Sequence, residues 1–400
     1  MKIAIIGGGI GGTATAHALL QKGFDVTIFE KAPAFGEVGA GVQVTPNAVK
    51  ALTGLGLADK LFDSAFYPQA VSGRHWQNGR ENFRIDLGDE FREHYDAPFI
   101  HVHRADLLDV FVSALPADVC RFNMACTGVS QTANGARATF EDGSFFDADL
   151  VIGADGVRSI VRESIFGTGN LRWTGHQCYR ALVPTGGVVD YVAPESAFWM
   201  GPKAHVVTYY VKGGDAVNIV AVTEAPEWVD ESWSTRASVE AMLSDFDGWH
   251  PDLQKLFSGV GEVFNWGLFD HDPMDTWSKG AATLLGDACH PMLPFLSQGA
   301  AMAIEDAYVL AEALGQSPDD LALALAAYEG ERLPRTARVQ LEARERGRTY
   351  HLPSEEEMAI RDAEYARRAK EDPRTTGINT DWVYDYDPRD FSMQTFEVAE

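Results

Sequence analysis

The first thirty residues pair unbroken apolar runs with glycine-broken turns. Residues 2–6 (KIAII) form a short apolar run, the pattern of a strand buried on both faces. Glycines follow, and then TATAHALLQKG predicts a helix closing at Gly23. FDVTIFEK predicts a second strand, so the head of the chain reads as strand, turn, helix, strand. Residues 98–103 (PFIHVH) predict another strand, a helix starts at Ala105, and the chain is extended beyond Asp118. Asn134-Gly135 and Asp142-Gly143 are turn signals that cut the next stretch into short strands. They lead into DLVIGADGVRS, a further strand ending in a turn.

Between residues 175 and 270 the pattern changes, and segments such as HVVTYYVKGG and AVNIVAVTE predict an antiparallel sheet. Residues 281–286 return to a buried strand. Beyond 298 the chain reads mainly as helix, with many charges from 328 to 372, and closes on the aromatic tail DWVYDYDPRDF. No internal repeat or low-complexity tract interrupts it.

Four hundred residues exceed one ordinary hydrophobic core, so two or three packed units are expected. The net charge of −25 argues against nucleic acid as a partner, since phosphate contacts need clustered Lys and Arg. Cys120, Cys126, Cys178 and Cys289 include no CxxC, which argues against a disulfide framework and a zinc site. His101 and His103 share one strand face with no acidic or cysteine cluster nearby, and are read as structural. Glycines break the N-terminal apolar run, so no secretory signal is expected there. No long uncharged apolar stretch suits a membrane span, and a reducing cytoplasm is the expected compartment.

Three motifs carry chemistry. Gly7, Gly9 and Gly12 form G-x-G-x-x-G between a strand and a helix, and Glu30 ends the second strand. Such glycines permit a tight turn, close approach of backbone to a pyrophosphate, and close helix–strand packing, while Glu30 suits a ribose hydroxyl. Asp155-Gly156 follows a strand, with Arg158 and Arg162 a helical turn apart. On its own this second motif reads equally as a β-turn before a solvated basic helix face. The third is LLGDACHPMLPFLSQGAAMAIEDA, residues 284–307. Asp287 there suits a sugar or ribityl hydroxyl, and the amides of Gly299, Ala300 and Ala301 open a helix that favours negative charge. The alternative is a proline-rich turn capped by a helix.

GGGIGG, ADGVRS and GDACHPMLP, in this order, resemble the FAD fingerprint, DG motif and GD motif of the single-component flavoprotein aromatic hydroxylases. The resemblance spans essentially the whole chain. It points to the branch with salicylate hydroxylase, 3-hydroxybenzoate 6-hydroxylase and 6-hydroxynicotinate 3-monooxygenase, on HPMLPFLSQGAAMAIEDA, GAGVQVTPNAV and DWVYDYD. It implies an α/β fold like that of p-hydroxybenzoate hydroxylase. A two-layer Rossmann-like FAD-binding domain (1–72, 98–175 and 268–345) carries an inserted antiparallel-sheet substrate domain (73–97 and 176–267). A C-terminal helical segment and tail follow (346–400). The resemblance further implies that Glu30, with Lys31 beside it, holds the adenosine ribose. Arg104 contacts the phosphate–ribityl region, and Asp155 and Arg158 serve both FAD and the nicotinamide donor. Asp287 binds the ribityl chain, and Pro294, Gly299, Ala300 and Ala301 line the isoalloxazine.

His205, Val207 and Tyr209 alternate, so on a strand they share one face. On the family's substrate strand His205 assists phenol deprotonation, because imidazole titrates near working pH, and Tyr209 orients the substrate. The plain alternative is two sheet residues satisfied by backbone or water. Gln43 stands where the 6-hydroxynicotinate enzymes carry histidine; it reaches flavin or substrate, or else faces solvent from a strand edge. His290 and Cys289 are read as structural. Trp382, Tyr384 and Tyr386 staple the tail to the body or join an oligomer contact.

The implied reaction is reduction of FAD by NADH or NADPH, formation of a C4a-hydroperoxide with molecular oxygen, and hydroxylation of a small aromatic or N-heteroaromatic acid. Carbon dioxide is lost if the carboxylate sits on the attacked carbon. With no second Rossmann fingerprint, the nicotinamide donor needs a surface groove. A dehydrogenase or reductase on the same scaffold, and a non-catalytic FAD-binding protein, are the rival readings. No membrane partner is expected, and the chain is a monomer or homodimer.

Overall fold

A computed structural model describes residues 1–36, 40–167, 171–225, 236–371 and 380–393. Its first sheet has six strands, in the order Ser278–Lys279, Ala282–Leu284, Leu150–Gly153, Lys2–Ile6, Asp25–Phe29 and Cys120–Arg121. The four inner strands are parallel, pairing Ala4 with both Val151 and Thr27, and Ile152 with Thr283. Their near-continuous apolar runs reflect burial on both faces. Helices Ile10–Gln21 and Gly299–Gln316 cover one face, packed closely enough that a Cβ at Gly11 would meet Leu285 at 2.9 Å and Ala303 at 3.4 Å. The other face adds a third layer, absent from the two-layer expectation. Strands Cys126–Thr132, Gly135–Phe140 and Phe145–Ala148 form an antiparallel meander, with Phe140 stacked on Phe29 at 4.7 Å. The turn signals at Asn134-Gly135 and Asp142-Gly143 fall at its two hairpins.

The second sheet has eight strands, in the order Arg236–Ala237, Val263–Asp270, Arg172–Pro184, Ala216–Glu224, Ala204–Val211, Ser196–Gly201, Ala70–His75 and Glu81–Asp86. It is antiparallel except that Ser196–Gly201 runs parallel to Ala70–His75, a pairing that needs a long crossover and obtains it through the first sheet's segments. Strands Ala70–His75, Arg172–Pro184 and Val263–Asp270 run across the expected breaks at residues 72, 175 and 267. Strict alternation divides the sheet. Val206, Tyr210, Ile219 and Trp199 pack under helices Val239–Asp245 and Pro251–Ser258, while Val207, Tyr209, Val222 and Phe198 face Leu293, Phe295 and Tyr350.

Helix Leu321–Tyr350 joins the two cores despite Pro334 in its interior. Near its start the Tyr328 hydroxyl donates to the Leu284 carbonyl at 3.0 Å, and at its end Tyr350 lies in the second core. The tail packs on the body: Tyr384 sits edge-on to Tyr95 at 5.5 Å, and Trp382 covers the Arg338 guanidinium at 3.7 Å. No helix among the described residues is long and apolar enough to cross a membrane.

Candidate active site

The glycine turn is shaped by contact on one side and openness on the other. A Cβ at Gly7, whose φ is +109°, would fall on the Ala154 carbonyl, and one at Gly12 on the Gly7 carbonyl. Gly9, at the start of helix Ile10–Gln21, would meet nothing within 4 Å. Two glycines therefore bring turn, helix and strand together, and the third leaves backbone open to an incoming group. Glu30 accepts from the Gly8 amide at 2.6 Å and the Ala32 amide at 2.8 Å, which fixes its carboxylate beside the turn with acceptor sites to spare. Lys31 is exposed next to it.

Asp155 turns inward. Its carboxylate accepts from Ser159 Oγ at 2.5 Å and from the amides of Ile160 and Val161 at 2.8 and 3.1 Å, capping helix Ile160–Phe166. Burial raises its carboxyl, against the pull of those donors. Arg158 is exposed, but Arg162 is not part of a solvated basic face. It is 7% exposed and donates to the carbonyls of Ala288 at 2.6 Å and Val157 at 2.7 Å. Arg162 thus ties the Asp155 turn to the Asp287 turn.

At that third turn Gly286 has φ +61°, and its amide donates to Asp306 at 3.0 Å. Asp287 stays exposed between buried Gly286 and Ala288. The surrounding protein nevertheless raises its carboxyl, opposed by His290 and by Arg104, which opens helix Arg104–Val112. His290 Nε2 lies 2.6 Å from Asp306, fully buried. Cys289, His290 and Asp306 place ligand atoms within 4.8 Å of one another, as a metal would need. The Asp306 carboxylate, however, is already shared among Gly286, His290 and Arg332.

Pro294 opens a short turn, Pro294–Leu296, that ends with Ser297 at φ +56°. Gln298 follows, and helix Gly299–Gln316 begins without a side-chain cap, its first return bond running from the Met302 amide to the Gln298 carbonyl at 2.8 Å. The amides of Gly299, Ala300 and Ala301 lie in the first turn, where backbone donors lack intrahelical partners. A Cβ at Gly299 would meet nothing within 4 Å. This open, uncapped helix start and the open Gly9 fit the isoalloxazine edge and the pyrophosphate of FAD.

A buried polar lattice supports the helix start. Gln298 donates to Thr45 Oγ1 at 3.0 Å and accepts from Asn47, which also donates to Glu305 at 2.6 Å. Glu305 and Asp306 grip Arg332 at 2.5 and 2.9 Å, and Arg335 joins Glu305 at 2.8 Å. Burial alone would raise Glu305, but Arg335 and Arg332 outweigh it and hold the carboxyl low. Sequence pattern points to Gln298 only through its place beside Gly299, and gives no sign of Asn47, Glu305 or Arg332.

Opposite Leu293 and Phe295 lies the sheet face carrying His205, Val207 and Tyr209, as alternation predicts. His205 is 2% exposed, its ring 5.1 Å from that of Phe295. It does not titrate near working pH as expected: burial, assisted by His176, pulls it down to about 3. Tyr209 packs on His101 at 4.7 Å, and burial pushes its phenol up. Gln43 does not face solvent. Strand Gly41–Val44 crosses beside this face, Gln43 is 5% exposed, and it donates to Ser196 Oγ at 2.6 Å. The Gly41 amide donates to Asn218 at 2.7 Å. On the same face Arg180 lies over Trp266 at 5.2 Å, and its charge opposes the rise of Tyr209 without overcoming it.

The geometry has counterparts. A family model described as an FAD binding domain matches residues 1–227 and 261–343. The chain is 40% identical over 362 residues to 3-amino-4-hydroxybenzoate 2-monooxygenase PtmB3 of Streptomyces platensis, covering 90% of this chain and 91% of that one. It is 40% identical over 346 residues to 6-hydroxynicotinate 3-monooxygenase of Pseudomonas fluorescens, covering 85% and 89%. The crystal structure of Klebsiella pneumoniae HpxO complexed with FAD and uric acid superposes with a TM-score of 0.83 at 27% identity, over 94% of this chain and 97% of that one. Glycine turn, Asp287 recess and uncapped helix start, in this topology, agree with that kinship: the chain belongs to the FAD-binding family of flavoprotein aromatic hydroxylases.

Proposed function

We propose that this protein hydroxylates a small hydroxylated aromatic or N-heteroaromatic acid at the expense of NADH or NADPH. The observation that carries the reading is the facing of His205 and Tyr209 across Phe295 toward the turn that opens helix Gly299–Gln316. Bound FAD supplies electron transfer from the nicotinamide and activation of molecular oxygen. Gly9 and the helix Ile10–Gln21 start receive its pyrophosphate, Glu30 with Lys31 its adenosine ribose, and Asp287 with Arg104 its ribityl region. Asp155 shapes the turn that carries Arg158, and Pro294, Gly299, Ala300 and Ala301 line the ring. His205 withdraws the substrate's phenolic proton and Tyr209 orients the hydroxyl, with Gln43 bordering the same space. Loss of carbon dioxide follows when the carboxylate occupies the attacked carbon.

The division of labour is part of this reading: segments 1–72, 98–175 and 268–345 serve the cofactor, and 73–97 with 176–267 the substrate. It is supported by the two separate sheets. The four cysteines are unbridged, in keeping with a reducing cytoplasm.

The test follows NADH and NADPH oxidation, oxygen uptake, peroxide and carbon dioxide together in FAD-loaded protein. The panel is 3-amino-4-hydroxybenzoate, 6-hydroxynicotinate, 3-hydroxybenzoate, 4-hydroxybenzoate and salicylate. Stimulation by one acid with little peroxide and a hydroxylated product is expected. Nicotinamide oxidation without oxygen insertion would make it a reductase, and no turnover with any acid would overturn the reading.

A further inference from the structure

Cross-strand register puts a cation on the face of His205 and Tyr209. Arg180 pairs with Val220 and Val220 with Val207, one row across strands Arg172–Pro184, Ala216–Glu224 and Ala204–Val211. Residues directly opposite point to the same side, and Val207 lies between His205 and Tyr209 along its strand. Arg180 therefore stands level with the gap between those two residues, two strand spacings or about 10 Å away at the backbone. Its charge is felt at the Tyr209 phenol.

Arg180 differs from the other arginines of the interior. Arg332 is held by Glu305 and Asp306, Arg335 by Glu305, Arg344 by Asp270 and Arg361 by Asp362. Among the described residues no carboxylate pairs with Arg180. The residue is half-buried, its Nε is buried without a hydrogen-bond partner, and its guanidinium rests over Trp266 at 5.2 Å, near the Cys178 thiol. Asn218, two residues from Val220 and opposite Tyr209, shows the same imbalance. Its carbonyl oxygen accepts from the Gly41 amide at 2.7 Å, and its Nδ2 is buried with no acceptor. An uncompensated cation and a buried amide donor on one face favour an anion there.

We propose that Arg180 receives the carboxylate of the substrate and so selects for aromatic acids, an inference that rests on the reading of this face as the substrate site. In 3-amino-4-hydroxybenzoate and 6-hydroxynicotinate the hydroxyl and the carboxylate stand at opposite ends of the ring. Arg180 at one end, with His205 and Tyr209 at the other, fixes both ends of such a ring and with them the carbon presented to the flavin. The guanidinium fork offers a carboxylate two parallel N–H donors, and Trp266 holds its plane. The pair is neutral as a whole, so binding an acid removes an isolated charge from an apolar face, whereas binding a neutral ring leaves it there.

The test uses FAD-loaded protein and two pairs of probes, 3-amino-4-hydroxybenzoate with 3-amino-4-hydroxybenzamide, and 6-hydroxynicotinate with 6-hydroxynicotinamide. Each amide keeps the shape of its acid and loses the charge. Flavin absorbance titrations of the unmodified protein should show at least one acid bound about a hundredfold more tightly than its amide, the scale of a desolvated charge pair. Arg180→Gln should abolish that preference, weakening the acid about a hundredfold while leaving the amide and the FAD content as they were. Arg180→Lys, which keeps the charge but not the fork, should restore part of it. In turnover, Arg180→Gln should raise KM and the share of peroxide together. Acid and amide weakened alike would reduce Arg180 to packing and overturn the proposal. So would an unmodified protein that binds acid and amide equally, a result that needs no variant to fold. If either acid is still hydroxylated in those cases, the reading of function stands without Arg180; a protein that binds neither acid loses both.

Discussion

Arg162 reaches from the helix after Asp155 to the Ala288 carbonyl, 2.6 Å away, and binds the Asp155 and Asp287 turns into one piece. Arg162→Met would strand the buried Ala288 carbonyl, an unsatisfied group worth about 1–3 kcal/mol. We expect a lower melting temperature and FAD affinity reduced by at least about tenfold, since about 1.4 kcal/mol is one decade. Titration calorimetry with FAD, beside thermal denaturation, checks this; unchanged affinity would confine Arg162 to packing.

Asp287 is the exposed carboxylate of its turn. Asp287→Ala should yield folded protein largely free of FAD, read as the ratio of flavin to protein absorbance. Full occupancy would contradict its place at the ribityl chain.

Gly41 has no room for a side chain: a Cβ would lie 2.6 Å from the Tyr209 ring and 2.8 Å from the Asn218 amide carbon. Gly41→Ala should therefore displace Tyr209 and lower kcat/KM while FAD stays bound. A variant with normal kinetics would show that Tyr209 does not set substrate orientation.

Stability should depend on pH through the histidines. His101 and His205 are held near 3 in the folded chain against an ordinary 6.5, both by burial, and His351 is held low as well. The unfolded chain therefore binds more protons below 6.5, so stability is complete above that pH and is lost as pH falls toward 3. Three such groups give a slope of up to about 4 kcal/mol per pH unit, at about 1.36 kcal/mol per proton. Denaturant melts from about pH 7.5 to 4.5 measure it, and His205→Gln should flatten the curve by about one third. A profile flat down to about pH 5 would show that these imidazoles are hydrated.

Local pattern carried much of this. Gly7, Gly9, Gly12, Asp155 and Asp287 each sit at a strand-to-helix turn, where a few adjacent residues define the geometry. The shared face of His205 and Tyr209 follows from strand alternation alone. What pattern cannot supply is the partner across the fold. Gln43 is buried because strand Ile100–His103 and Ser196 enclose it, and Ser196 lies far along the chain. Arg162 has the spacing of a surface residue, yet the Asp287 turn closes over it. His351 ends a charged helix and meets His205 only because that helix crosses both cores. The third layer over the parallel sheet was equally hidden, since short strands do not announce which surface they will cover.

Helix Leu321–Tyr350 has thirty residues, about 45 Å at about 1.5 Å per residue, with Tyr328 locked into one core and Tyr350 into the other. Neither sheet can melt while that rod stays whole without tearing side chains from its own interior. The molecule should unfold in a single calorimetric transition, and a chain cut within the rod should lose both halves together.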